Sequence, residues 1–144
     1  MNREFKQCLE SKKVVSFARG KNLVEKELSV ARSDLSEAKA GYENGSYKWS
    51  TIQGYYAMFH AARALVYSES YREKSHYCLT VALSALFVDE GKMDAQLVRD
   101  FLNAMNLREA ADYQAEFSQS GAKAVIASAE KFIETASAVL GISR

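Results

Sequence analysis

No proline occurs anywhere in the 144 residues, and only 7 are glycine. Proline removes a backbone donor and clashes with the preceding turn, so its absence permits long uninterrupted helices. Permission becomes expectation where apolar residues recur at helical period. Val24, Leu28, Ala31, Leu35, Ala38 and Tyr42 form a stripe at alternating spacings of four and three. Glu25, Lys26, Arg32, Ser33 and Lys39 lie on the opposite face, which predicts a half-solvated helix. Two more helices are predicted over about 47–69 and 75–88. Another starts at Asp94, an N-cap, and repeats at Leu97, Val98, Phe101, Leu102 and Met105. The last shows Val125, Ala129, Phe132, Ile133, Ala136 and Leu140, and a short helix within residues 2–18 precedes them all. Nothing reads as a strand, a repeat or a linker. Short connections between long helices favour antiparallel neighbours. The expected fold is therefore all-α: a single up-and-down bundle of about five helices, one domain over residues 1–144.

Composition narrows the function classes. The net charge of +1 argues against non-specific phosphate binding as the main work. Cys8 and Cys78 form no CxxC motif, and Cys78 stands two residues from His76, a helical spacing at which side chains diverge. Both are expected as buried free thiols, as in a reducing cytoplasm, and no metal or cofactor is expected. The charged N-terminus MNREFKQCLESKK does not read as a signal peptide. No apolar run approaches the ~18–20 residues that span a bilayer. The expectation is a soluble cytoplasmic protein.

The segment YYAMFHAARAL, residues 55–65, carries the most information. At ~100° per residue, Ile52, Tyr55, Met58, Phe59, Ala62, Leu65 and Val66 share one face, a core face that needs no function. The other collects Gln53, Tyr56, Ala57, His60, Ala61, Arg63, Ala64 and Tyr67. A solvated face would carry Lys and Glu, and this one has neither. Three readings stand: burial under the protein's own helices, a homodimer or partner groove, or a catalytic His60. His60 and Arg63, three apart, also suit joint recognition of a carbonyl or an acidic partner.

Bundle geometry suggests a second cluster. If the 75–88 helix and the one after Asp94 are antiparallel, their lengths of ~18 Å and ~21 Å bring His76 level with Arg108. That end then gathers Tyr67, Arg72, Lys74, His76, Arg108, Asp112 and Tyr113. A His beside two Arg suits metal-free RNA cleavage, which needs a proton carrier and a phosphate-binding charge. The plainer alternative is an i, i+4 pair of Arg108 with Asp112 and a helix start at Ser75.

In order along the chain, YKWSTIQGYYAMFHAARALVYSESYREKSHYCLTVAL, LREAADY and AEKFI resemble the HEPN domain, in its small stand-alone prokaryotic branch. The resemblance covers about Val24 to Leu140. It implies an up-and-down helical bundle, commonly a homodimer. Many such proteins pair with a minimal nucleotidyltransferase in a toxin–antitoxin module. Others are metal-independent ribonucleases using an Arg and a His with four to six residues between them, assembled across a dimer. This sequence departs from the nuclease pattern: three residues separate Arg72 from His76, and no His follows Arg108 at a permitted position. Tyr113 stands where such a His would be, a position that suits nucleotidyl transfer by a partner.

The leading expectation is thus a non-enzymatic HEPN dimer that binds a nucleotidyltransferase. Its interaction surfaces would be the polar helix face and the basic bundle end. The rivals are an atypical ribonuclease using Arg108 and His76, and a module binding nucleotide phosphate through Arg72, Lys74 and Arg108.

Overall fold

Four of the helices start on a side-chain cap. The structure, a computed structural model, describes residues 2–142. Asn2 opens α1 (Arg3–Glu10) by accepting from the Phe5 amide, and Ser75 opens α4 (His76–Leu83) by accepting from that of Cys78. Asp94 caps α5 (Ala95–Tyr113) as the sequence predicts, and Ser118 caps α6 (Gln119–Leu140). Such caps satisfy amides that have no partner in the first turn. The two long helices between, α2 (Val24–Glu43) and α3 (Tyr47–Ser68), are joined by a tight turn at Asn44–Ser46.

The all-helical bundle is present, with α3 as its central member. It packs most extensively against α2, then against α6 and α5. The predicted core face of α3 is buried throughout: Ile52, Tyr55, Met58, Phe59, Ala62, Leu65 and Val66. Gly54 lets α6 approach, since a Cβ there would stand 2.9 Å from Cγ1 of Val125. No helix among the described residues is long and apolar enough to cross a membrane.

Several expectations need correction. Two short strands exist where none was read: β1 (Val14–Ser16) and β2 (Tyr71–Glu73) pair antiparallel, Val14 opposite Glu73 and Ser16 opposite Tyr71. Three residues are too few for a period-2 pattern to show. The predicted 75–88 helix stops as an α-helix at Leu83, and Ser84–Val88 continues as a π-helical turn. Leu102 is exposed, and Arg32 leaves the solvated face to donate from Nη2 to Ser137 Oγ at 3.0 Å. Cys8 and Cys78 are not free thiols: they form a disulfide, with Cα atoms 5.9 Å apart. The reason lies in the strand pair. It folds the N-terminal arm back over residues 71–73 and lays α1 against α4, a long-range pairing that neighbours along the sequence cannot reveal.

Candidate functional site

The start of α4, the middle of α3 and the last turns of α5 converge. His76 is the first residue of α4 and Tyr55 lies fully buried in α3. The Tyr55 ring stacks on Phe101 of α5, 5.6 Å between centroids, and its hydroxyl lies 2.8 Å from His76 Nδ1. A buried hydroxyl must place its proton, and Nδ1 is the acceptor within reach. Tyr55 therefore donates, and the neutral ring of His76 carries its own proton on Nε2. Burial pushes the Tyr55 hydroxyl well above the usual phenol range, which keeps that proton in place.

Arg108 enters from α5 and is only 12% exposed. Its Nη2 donates to Tyr56 Oη at 2.8 Å and lies 3.5 Å from Asp112 Oδ2, so the i, i+4 pair is formed. The guanidinium carbon stands 5.7, 5.3 and 5.5 Å from the ring centres of Tyr55, Tyr56 and Tyr113. Three tyrosine rings thus surround one cation, and its Nε is buried without a partner. Tyr113 itself is 73% exposed, the most open large aromatic among the described residues. His76 and Arg108 are brought together around Tyr55, as bundle geometry predicts.

Tyr67, Arg72 and Lys74 do not join that cluster; the Tyr67 ring packs against Phe17 at 5.2 Å and lies by the Arg63 guanidinium instead. Arg72 is exposed on β2 with its guanidinium 5.5 Å from the Phe17 ring. Lys74 is exposed as well, and its amide donates to the Lys13 carbonyl at 2.7 Å. Arg72 belongs to the strand pair, and Lys74 follows it directly.

The polar face of α3 meets carboxylates of its own chain. His60 Nδ1 lies 2.6 Å from Glu27 Oε2, and its Nε2 is 3.8 Å from Asp34 Oδ2. Arg63 holds Glu73 with two bonds, 2.9 Å from Nη2 and 3.4 Å from Nε, and reaches Glu27 at 3.8 Å. The Arg63 guanidinium also covers the rings of Phe59 and Tyr67 at 4.7 and 5.8 Å. Burial raises the Asp34 carboxyl, opposed by His60, and burial likewise raises the Tyr67 hydroxyl. Gln53 is half-buried beside Gly41 of α2. Glu27, Asp34 and Glu73 were missed by sequence reading because they stand on other elements. The signal that points to them is the excess of cationic side chains on a face lacking any acid.

Phe59 is the wall between the two polar groups. Its ring lies 4.9 Å from that of His76 and 5.4 Å from that of His60. Among the described residues no three His, Cys, Asp or Glu side chains converge so as to hold a metal ion.

A family model for the HEPN domain matches residues 24–139, which include every side chain of both clusters. The chain belongs to the HEPN domain family. Among its relatives, a Methanocaldococcus jannaschii protein named "Putative toxin" is 32% identical over 108 residues, 74% of this chain and 81% of its own length. A second protein of that organism and name is 27% identical over 97 residues, 67% of this chain and 66% of its own. A Pyrococcus horikoshii protein of the UPF0332 group is 34% identical over 68 residues, 47% of this chain and 48% of its own. A crystal structure from Thermus thermophilus superposes with a TM-score of 0.70, covering 82% of this chain and 98% of that one at 17% identity. That likeness establishes the fold alone. Within this HEPN bundle the matched region begins at α2, so α1, β1 and the disulfide's Cys8 stand outside it.

Burial first, and the Arg108 charge second, hold the His76 imidazole below its ordinary value, with Glu73 opposing. The unfolded chain therefore binds more protons than the folded one between the two values. His76 contributes stability that is complete above ~6.5 and lost as pH falls through the lower folded value. Removing the nearby cation with Arg108→Met should raise the His76 titration midpoint, read from its ring C–H signals by NMR. An unmoved midpoint would mean that the Arg108 charge does not reach the ring.

Proposed function

We propose that this chain is the HEPN member of a cytoplasmic toxin–antitoxin-like module, acting as a homodimer that binds a minimal nucleotidyltransferase. The observation that carries the reading is the pairing of an open Tyr113 with a preoccupied His76. A ribonuclease base needs a free imidazole lone pair. His76 spends one nitrogen on the Tyr55 proton and carries a proton on the other, so it offers a donor in place of a base. Tyr113 presents a phenol to solvent while the Arg108 guanidinium stands against its ring. A cation there suits an approaching phosphate. The relatives named as toxins support a module of this kind.

The rival is a metal-independent ribonuclease using Arg108 and His76. One observation favours it: both side chains meet Tyr55. A third reading, phosphate binding through Arg72, Lys74 and Arg108, loses its support because the first two lie on and just after β2, apart from Arg108.

A single preparation tests the proposal. Alone, the purified chain should run as a dimer by light scattering and leave single-stranded RNA uncut in chelator. Mixed with a minimal nucleotidyltransferase from the same genome and a nucleoside triphosphate, it should gain nucleotidyl mass on Tyr113. In that step the phenol oxygen bonds to the α-phosphorus, pyrophosphate leaves and the phenol proton goes to solvent. Tyr113→Phe should abolish the adduct. Chelator-resistant RNA cleavage lost in both His76→Ala and Arg108→Ala would overturn the proposal and make this chain an enzyme.

A further inference from the structure

The N-terminal arm is held by the buried Phe5 and Val14 side chains, by the short strand pair with backbone bonds from Lys74 to Lys13 and from Phe17 to Ser70 at its ends, and by one covalent bond. Most of α1 faces solvent; only Phe5 and Cys8 are buried. Phe5 packs edge-on against Tyr71 at 5.4 Å, Asn2 Nδ2 donates to Asp89 Oδ2 at 3.1 Å, and Tyr77 donates to Glu4. The β1–β2 ladder spans three residue pairs. An eight-residue helix has no stability of its own in water. To bring Cys8 onto Cys78 the chain reverses at Lys12, which takes a left-handed φ of 61°, costly for a residue with a Cβ. Cys78 lies two residues beyond His76 in the same turn of α4, and its amide donates to Ser75 Oγ at 3.1 Å. One bond thus ties the arm to the helix start that carries His76.

We propose that the Cys8–Cys78 disulfide is a thiol-redox latch: closed, it clamps the α1–β1 arm on α4, and reduced, it releases the arm and loosens the turn that presents His76. The chemistry is exchange with a dithiol. One thiolate of the dithiol attacks a cystine sulfur, breaking the protein S–S bond and forming a mixed disulfide. The second thiolate displaces the protein sulfur and closes the dithiol's own disulfide. Two electrons and two protons pass to the protein, which ends with two thiols. Both sulfurs belong to buried residues, so attack waits for the arm to fray, and the latch opens more slowly than an exposed disulfide would. In a thiol-rich compartment such a bond is a sensing element, closing when the poise turns oxidising. The inference rests on the arm's geometry and not on the proposed partner.

The test compares the full-length protein closed and opened by dithiothreitol, with Cys8→Ala as an independent open form. Hydrogen–deuterium exchange should rise at least about tenfold over residues 3–16 and 71–78 in both open forms, since the cross-link no longer restrains the arm. The four long helices should be unaffected. The ring signals of His76 should shift on reduction while those of His60 stay. Three results would overturn the latch. The first is two alkylatable thiols that persist after mild oxidation. The second is exchange in the arm that ignores reduction. The third is exchange that rises through every helix, the mark of a staple for the whole fold. None of these readouts involves RNA or a nucleotidyltransferase, so failure here and failure of the proposed function are separable.

Discussion

Phe59→Ala is expected to lower the unfolding free energy by about 3–5 kcal/mol, the range for removing a buried aromatic ring and leaving a cavity. The magnitude is a large part of the ~5–15 kcal/mol that holds a small domain together. Phe59 is buried on the core face of α3, yet its ring also touches His76, His60 and the Arg63 guanidinium. Truncation therefore does two things at once. It empties part of the core, and it removes the apolar ring that stands between the two polar groups. Phe59→Leu retains most of the volume and should cost much less. Chemical denaturation of the three proteins reads the difference. A midpoint unchanged in the alanine variant would mean that the ring is not packed as described.

The two faces of α3 differ in how far the sequence could carry. A core face is legible because its cause is local: apolar side chains at helical spacing share one side whatever surrounds them. The second face is legible as unfit for solvent, since it carries neither Lys nor Glu, but its partners are not. Glu27 and Asp34 stand on α2, and Glu73 on a three-residue strand. What pairs with His60 or Arg63 is set by how α2 and β2 are laid over α3, and no spacing within residues 47–69 encodes that. The disulfide is a sharper case. Cys8 and Cys78 lie 70 residues apart in sequence and meet through a strand pair too short to leave a pattern. By contrast the meeting of His76 and Arg108 could be anticipated, because helix rise converts residue counts into length and antiparallel packing converts length into level.

That second face supplies the remaining large effect. Glu73→Leu is expected to cost about 2–4 kcal/mol, slightly less than a fully buried ion pair loses when one partner goes. Glu73 is 4% exposed and Arg63 24%, so the stranded guanidinium keeps some water and the penalty is reduced accordingly. Burial alone would lower the Arg63 pKa, but the Glu73 bond and charge outweigh it and raise it instead. With Glu73 gone, a cation remains between the Phe59 and Tyr67 rings with only the more distant Glu27 opposite it. Arg63→Met should be destabilising for the converse reason, leaving a buried carboxylate without its two donors. Combined, Arg63→Met with Glu73→Leu should recover much of the loss, because an apolar pair of similar volume carries no desolvation penalty. Denaturant unfolding of the four proteins forms the cycle. If the double variant simply sums the two single losses, the pair is not coupled, and Arg63 and Glu73 each stabilise the fold through other contacts.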